Sequence, residues 1–258
     1  MNKELLVERD GAIVTVTFNR PEARNAMTWG MYQGLYDACE EVDRDESVRV
    51  MILKGAGGKA FVAGTDISQF SEFKGGDDGI KYERDGDKRS GRIARVTKPV
   101  IAQIQGYAVG GGFAITAGAD IRIATPDAKF GVPTAKTLGN CLSMKNYAMF
   151  ATLIGPSRVK ELLFTARLMT AQEALTAGYV HEIVDGAEIE KRVRELADKI
   201  AGHAPLTLWA TKEALRRLQD SGDLPADDDI VRKVYGSADF KEGVSAFVAK
   251  RPPRWTGK

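Results

Sequence analysis

Apolar and threonine positions alternate from Ala12 to Phe18, the period of a half-buried strand. Asn19-Arg20-Pro21-Glu22 breaks the pattern. After Thr28, a candidate N-cap, Met31, Leu35, Ala38 and Val42 recur at helical spacing, so a helix is expected to about Asp45. Val48 to Leu53 is a continuous apolar run, a buried strand closed by Gly55-Ala56-Gly57-Gly58. Ala60 to Ile67 then joins a strand end, Gly64 and another helix start. Residues 72–92 are dense in charge and glycine and read as a solvated loop and helix face, whose mobility could gate a site.

The next apolar run, Val100 to Gln105, enters Gly106-Tyr107-Ala108-Val109-Gly110-Gly111-Gly112 and leaves through the small-residue helical run Phe113 to Ala117. A buried strand thus feeds a helix through three consecutive glycines. Glycine allows backbone conformations and close approaches that other residues forbid. The first N–H groups of a helix lack intrahelical partners and sit at the positive end of its dipole. Three readings fit: tight packing alone, a phosphate loop, or an oxyanion hole. Neither G-x-x-x-x-G-K-[ST] nor G-x-G-x-x-G spacing is met, which argues against the phosphate loop. The glycines alone leave packing and an oxyanion hole open.

Further along, Ile121 to Ala124, Lys129 to Pro133 and Tyr179 to Val184 read as extended pieces. Helices are expected over Asn140–Ile154, Ser157–Phe164, Ala171–Ala177, Ala187–Ala201 and Pro205–Leu218. Two more are expected over 224–236 and 239–249, with Pro252-Pro253 ending the folded part. Strands alternating with helices indicate an α/β fold. The last stretch has no strand signal, so residues 1–200 are expected as the core and 201–258 as a helical subdomain. No internal repeat is visible.

Composition narrows the function. The 258 residues carry a net charge of +2, which gives no electrostatic case for nucleic acid. No apolar run approaches a membrane span, and the N-terminus lacks an apolar signal region. Cys39 and Cys141 are far apart, so a disulfide framework is not expected and a reducing cytoplasm is the default. His181 and His203 are the only histidines, which argues against a His-rich metal site; both read as structural or surface residues.

The two glycine corners, taken together, resemble the crotonase superfamily, the enoyl-CoA hydratase/isomerase family. The resemblance rests on Asn19 to Ala26, Phe61 to Ile67, Lys98 to Ala102 running into Gly106 to Gly112, Ala119 to Ala124 and Ala128 to Gly131. It continues in Lys241-Glu242-Gly243, Ala246-Phe247 and Lys250-Arg251, so it spans residues 11–253. It implies a spiral of ββα units with a helical C-terminal part for trimerisation, and trimers often paired into hexamers. It implies lyase-type chemistry on a coenzyme A thioester in fatty acid metabolism, with no permanently bound cofactor. The thioester oxygen, as it becomes an enolate, would be held by the backbone N–H groups of Thr65 and Gly111. Adenine and pantetheine contacts would map to Ala26, Ala63 and Asp66, with Arg24 near the phosphates. Phe247 and Lys250 would face CoA, which could be that of a neighbouring subunit. Fixed donors of this kind are worth about 10²–10³ in rate each.

The chain departs from the family where acids belong. Family hydratases carry one glutamate two residues after the triple glycine, here Ala114, and another after the Phe-Gly-x-Pro proline, here Thr134. A third acid slot, used by some isomerases and dehalogenases, maps to Ser143. Thr134, Lys136, Cys141, Ser143, Lys145 and Asn146 are the remaining polar candidates; Ser and Thr are poor bases without a partner, and Lys145 would act only if desolvated and otherwise reads as a surface lysine. Ordinary enoyl-CoA hydration is therefore doubtful. A lyase with unusual proton-transfer groups is expected, with a malonyl-type decarboxylase, a thioesterase and a non-catalytic acyl-CoA binder as alternatives.

Overall fold

A computed structural model of the chain describes residues 3–71, 73–220, 226 and 228–258. Among the described residues, ten strands are formed: β1 (Leu5–Asp10), β2 (Ile13–Phe18), β3 (Val50–Gly55), β4 (Ala60–Val62), β5 (Val100–Ile104), β6 (Tyr107–Val109), β7 (Ile121–Ala124), β8 (Lys129–Gly131), β9 (Met169–Thr170) and β10 (Glu182–Ile183). The helices are α1 (Trp29–Arg44), α2 (Gly76–Arg89), α3 (Gly111–Gly118), α4 (Met144–Ile154), α5 (Pro156–Thr165), α6 (Ala171–Thr176), α7 (Ile189–Ala201), α8 (Pro205–Asp220), α9 (Asp228–Tyr235) and α10 (Ala238–Val248).

The strands form two sheets. One has six strands in the order β1-β2-β3-β5-β7-β10, the other four in the order β4-β6-β8-β9. Successive strand pairs β3/β4, β5/β6 and β7/β8 each place one strand in each sheet, so the chain climbs as a spiral of ββα units. This is the crotonase-like α/β fold that the sequence motifs imply. The pairings β2–β3–β5–β7 and β4–β6–β8 are parallel. The step between sheets is tight at Gly106, where φ is +61° and a Cβ would run into the Lys59 carbonyl. Only glycine satisfies both demands.

Both faces of the larger sheet are covered, which is why β3 reads as a continuous apolar run rather than an alternating one. Met51 and Leu53 point into the main core with α1, α3 and α4. Val50 and Ile52 point the other way, onto Ile189, Val193, Ala197 and Ile200 of α7. The helix expected from Thr28 forms as α1, and the Thr28 side chain accepts from Met31 N.

Several expectations change. β1 pairs antiparallel with β2 although only Leu5 is buried, so it carries no alternation to read. The Tyr179–Val184 strand shrinks to β10 because Tyr179 turns into the core, its hydroxyl 2.7 Å from Thr116 Oγ1. The helix expected from Asn140 starts at Met144, capped by Ser143. Within residues 72–92, α2 is not merely a solvated face, since Tyr82 and Glu83 enter a cavity. Of the helix expected over 224–236, residues 224, 225 and 227 lie outside the described residues, and α9 covers its described part.

The chain beyond Pro253 is also tied down. Buried Asp239 accepts from Thr256 N, Thr256 Oγ1 and Gly257 N, at 2.7, 2.9 and 2.8 Å. The tail therefore belongs to the fold. α8 meets the core through Lys212, whose Nζ lies 2.6 Å from Asp120 Oδ2.

Candidate active site

The two glycine corners lie against each other. At the first, Met27 bonds to both neighbours of Thr65: its N–H donates to Gly64 O at 2.8 Å, and Asp66 N–H donates to Met27 O at 2.9 Å. Successive amides in extended chain point to opposite sides, so the Thr65 N–H faces away from Met27. It has no hydrogen-bond acceptor among the described residues. At the second corner, Gly110 N–H donates to Gly131 O at 2.9 Å, and Gly111 is the first residue of α3, with its N–H likewise free. A Cβ placed on Gly110 would sit 3.6 Å from the Gly64 Cα, and one on Gly111 would sit 3.5 Å from Thr65 Oγ1. A Cβ on Gly112 would strike the Val62 carbonyl, so the third glycine lets α3 pack on β4.

The C-terminal end of α3 is held from below. Arg122 is 4% exposed and gives its guanidinium to the carbonyls of Thr116, Ala119 and Tyr179. A cation at helix-terminal carbonyls complements the dipole. Burial pushes the Arg122 pKa down, with no carboxylate bonded to it. The Tyr179 hydroxyl donates to Phe113 O at 3.1 Å. His181 Nδ1 accepts from Arg122 N at 3.1 Å, and burial pushes its pKa down, so its role is structural.

Around the corners opens a cavity of about 490 Å³. Trp29, Phe70, Phe73 and Tyr82 form one aromatic wall, with Phe70 and Tyr82 ring centroids 4.9 Å apart. Val132, Leu138, Leu142 and Phe150 supply another apolar wall. Beside the corners, Thr65 Oγ1 lies 2.8 Å from the Tyr32 hydroxyl and 3.0 Å from the Tyr82 hydroxyl. Burial raises the pKa of both tyrosines, and the charge of Glu83 raises it further. They stay neutral and can donate.

Of the residues singled out from the sequence, Ala63, Thr65, Gly111, Ala114, Thr134 and Asn146 line this cavity. Ser143 does not line it. Its Oγ accepts from Asn146 N at 3.2 Å and donates to Asp87 Oδ1 at 2.6 Å, so the hydroxyl is spent on capping α4 and holding α2. Asp66 is likewise occupied: its carboxylate takes Ser68 and the Arg20 guanidinium, which depress its pKa against a small opposing effect of burial. Arg24 is exposed, 5.7 Å from the Tyr107 ring centre, and its neighbour Asn25 is a buried tie to Ala56 and Ala60. Ala26 gives its carbonyl to Arg20. Phe247 is 87% exposed on α10, and Lys250 follows it, both away from the cavity of this chain. Cys141 is exposed, while burial pushes the Cys39 thiol up to about 12. Among the described residues, no group of His, Cys, Asp or Glu could hold a metal ion. No described helix is long and apolar enough to cross a membrane.

Tyr32, Tyr82 and Glu83 are the cavity residues that sequence reasoning missed. Tyr32 sits inside the apolar stripe of α1, where a tyrosine reads as packing, and a buried tyrosine hydroxyl needing a partner is the one signal available.

Known proteins resemble this chain in sequence and in fold. The sequence profile of the enoyl-CoA hydratase/isomerase family matches residues 8–258. A short-chain-enoyl-CoA hydratase of Clostridium acetobutylicum is 35% identical over 250 residues, covering 96% of this chain and 95% of that protein. A carnitinyl-CoA dehydratase of Salmonella typhi is 33% identical over 268 residues, covering both chains fully at 100%. The crystal structure of an enoyl-CoA hydratase/carnithine racemase from Magnetospirillum magneticum superposes with a TM-score of 0.93 at 34% identity, covering 99% of this chain and 96% of that one. The chain is therefore a member of the enoyl-CoA hydratase/isomerase family, within the crotonase superfamily, whose members act on acyl-CoA substrates.

Proposed function

We propose that this protein is a lyase-type enzyme that binds an acyl-CoA with the thioester oxygen between the N–H groups of Thr65 and Gly111. The observation that carries this reading is the pair of free backbone donors on adjoining corners of one largely apolar cavity. Negative charge developing on the oxygen would meet donors already in place, in surroundings that strengthen them. Relatives that hydrate enoyl-CoA or dehydrate carnitinyl-CoA support the substrate class. Ala114 and Thr134 bring no carboxylate to the cavity wall, which sets this chain apart from an ordinary hydratase. By the family resemblance, Ala26, Ala63 and Asp66 would contact the adenine and pantetheine of CoA, and Arg24 would lie near its phosphates. Phe247 and Lys250 would reach the CoA of a neighbouring copy in a trimer or a pair of trimers, and light scattering reads that assembly directly.

Calorimetry with acetoacetyl-CoA, an enolate mimic, tests the binding mode. Saturable heat that CoA competes away is expected, and its absence would remove the reading. A panel of acyl-CoAs followed by mass spectrometry then identifies the reaction. A decarboxylase is the second reading. Arg89 lines the cavity with no ion-pair partner among the described residues, where a malonyl-type carboxylate could dock. Release of CO₂ from malonyl-CoA in that panel would favour it. A thioesterase or a non-catalytic binder would show hydrolysis or no turnover.

A further inference from the structure

Among the described residues, three carboxylates line the cavity, and they differ in what they already hold. Asp78 accepts from Lys74 N and Gly75 N, at 2.7 and 3.1 Å, and caps the start of α2. Asp85 pairs with Lys81 at 2.7 Å, which depresses its pKa despite slight burial. Glu83 is different. It is half-buried, and Oε2 accepts from Ser143 N at 2.8 Å. Oε1 has no hydrogen-bond or ion-pair partner among the described residues. One oxygen is thus anchored at the head of α4 while the other is free on a residue of the cavity wall.

Glu83 also stands beside the hydroxyl chain that reaches the first corner. It follows Tyr82, whose hydroxyl is 3.0 Å from Thr65 Oγ1, and its charge acts on Tyr32 as well. No acid comes from the positions nearest the second corner, since Ala114 of α3 and Thr134 after β8 are both unionised wall residues. The Ser143 position brings a carboxylate to the site in another way: it carries no acid of its own, yet it binds Glu83 by its N–H and Asp87 by its hydroxyl.

We propose that Glu83 is the catalytic residue that takes the α-proton from the bound thioester and returns it. The inference rests on the acyl-CoA reading above. In the forward step the α-carbon C–H bond breaks and its proton goes to Glu83 Oε1. The C–H electron pair becomes the C=C bond of the enolate. The carbonyl π pair moves to the oxygen facing Thr65 and Gly111. Reprotonation at carbon reverses each movement, so no further reactant is needed. A carboxylate suited to this work is one whose affinity for protons has been raised. Burial raises the Glu83 pKa, the Ser143 N–H opposes that, and the charge of Asp87 adds to it. Other groups facing it are the Tyr32 and Tyr82 hydroxyls, with Arg89 and Lys81 farther along the cavity wall and uncharged Ser143 and Asn146 from the α4 side.

The test is exchange of the α-protons of butyryl-CoA in D₂O, followed by NMR on the full chain, alongside calorimetry with acetoacetyl-CoA. The unmodified protein should exchange. Glu83→Gln should slow exchange by about 10²–10⁴, the usual worth of a positioned acid–base group, while binding acetoacetyl-CoA within a few-fold of the unmodified protein. A folded Glu83→Gln protein that exchanges at the original rate would overturn the proposal. So would an unmodified protein that binds acetoacetyl-CoA and exchanges nothing. If acetoacetyl-CoA does not bind at all, the acyl-CoA reading itself fails, which is a separate result. Should Glu83→Gln not fold, Asp87→Asn provides the second arm. It removes a like charge from beside Glu83, so the acid limb of the exchange profile should move to lower pH, and an unmoved limb would count against Glu83.

Discussion

The Tyr32 hydroxyl lies 2.8 Å from Thr65 Oγ1, joining the first turn of α1 to the first glycine corner across 33 residues of chain. Tyr82 closes the same hydroxyl from the other side at 3.0 Å. Tyr32→Phe therefore leaves Thr65 one partner and should cost about 0.5–1.5 kcal/mol of stability, the usual net worth of such a bond. Acetoacetyl-CoA binding should survive, because the Thr65 N–H is untouched. Urea titration and calorimetry on the variant read both, and a loss of several kcal/mol would mean that the chain of hydroxyls holds the corner by itself.

Gly111 is the first residue of α3, a position that accepts proline in a helix. Gly111→Pro removes the proposed donor, but any Cβ there meets the Tyr32 hydroxyl. The double change Gly111→Pro with Tyr32→Phe relieves that contact. It should fold and lose about 10²–10³ in kcat, the cost of one missing oxyanion donor. Circular dichroism with steady-state kinetics on the panel substrate checks it. Normal turnover would show that Gly111 donates to nothing in the reaction.

Crotonyl-CoA hydration should be far slower than the order of 10 s⁻¹ of an ordinary enzyme. Ala114 and Thr134 offer neither a proton acceptor nor an ionised donor to an added water. The loss of thioester absorbance on the unmodified protein gives kcat directly. A value at or above that order would show that water is activated elsewhere in the cavity. Ala114→Glu with Thr134→Glu should raise the rate, at some cost in stability from burying two carboxyls.

The C-terminal tail should loosen in acid. Glu242 is paired with the Arg251 guanidinium and accepts Arg254 N, which holds its pKa at about 2 against an ordinary 4.5. A carboxyl depressed in the folded state favours folding above its ordinary pKa, and that contribution disappears as pH falls through the folded value. The tail clamp should therefore weaken between pH 4.5 and about 2. Trp255 packs against Gly243, so its indole NMR signal reports the change. Glu242→Gln should make that signal insensitive to pH over this window, and added salt should mimic part of the effect because the pair is exposed.

Much of the fold is legible in the chain itself. The helical spacing of Met31, Leu35, Ala38 and Val42 gives α1, since one buried stripe on a helix needs nothing beyond its own period. The continuous run from Val50 to Leu53 likewise marks a strand covered on both faces. Gly64 and the glycines at 110–112 mark two corners, because a backbone at positive φ or in close approach excludes side chains wherever it occurs. The order of these motifs was enough to identify the family.

Other features were decided only in three dimensions. The charges of α2 have the same pattern whether the helix is bathed in water or walls a cavity, so Glu83 looked like any surface glutamate until α4 was packed beside it. Ser143 occupies an acid's place in sequence, but the cap of α4 commits its hydroxyl to Asn146 and Asp87. Pro252-Pro253 reads as the end of the fold, yet Thr256 and Gly257 beyond it donate to buried Asp239. Periodicity and backbone conformation are properties of neighbours along the chain, so the sequence by itself determined the elements, the two corners and the family. The partners of a polar side chain come from wherever folding brings another segment, so only the tertiary structure decided which carboxylate keeps a free oxygen in the cavity.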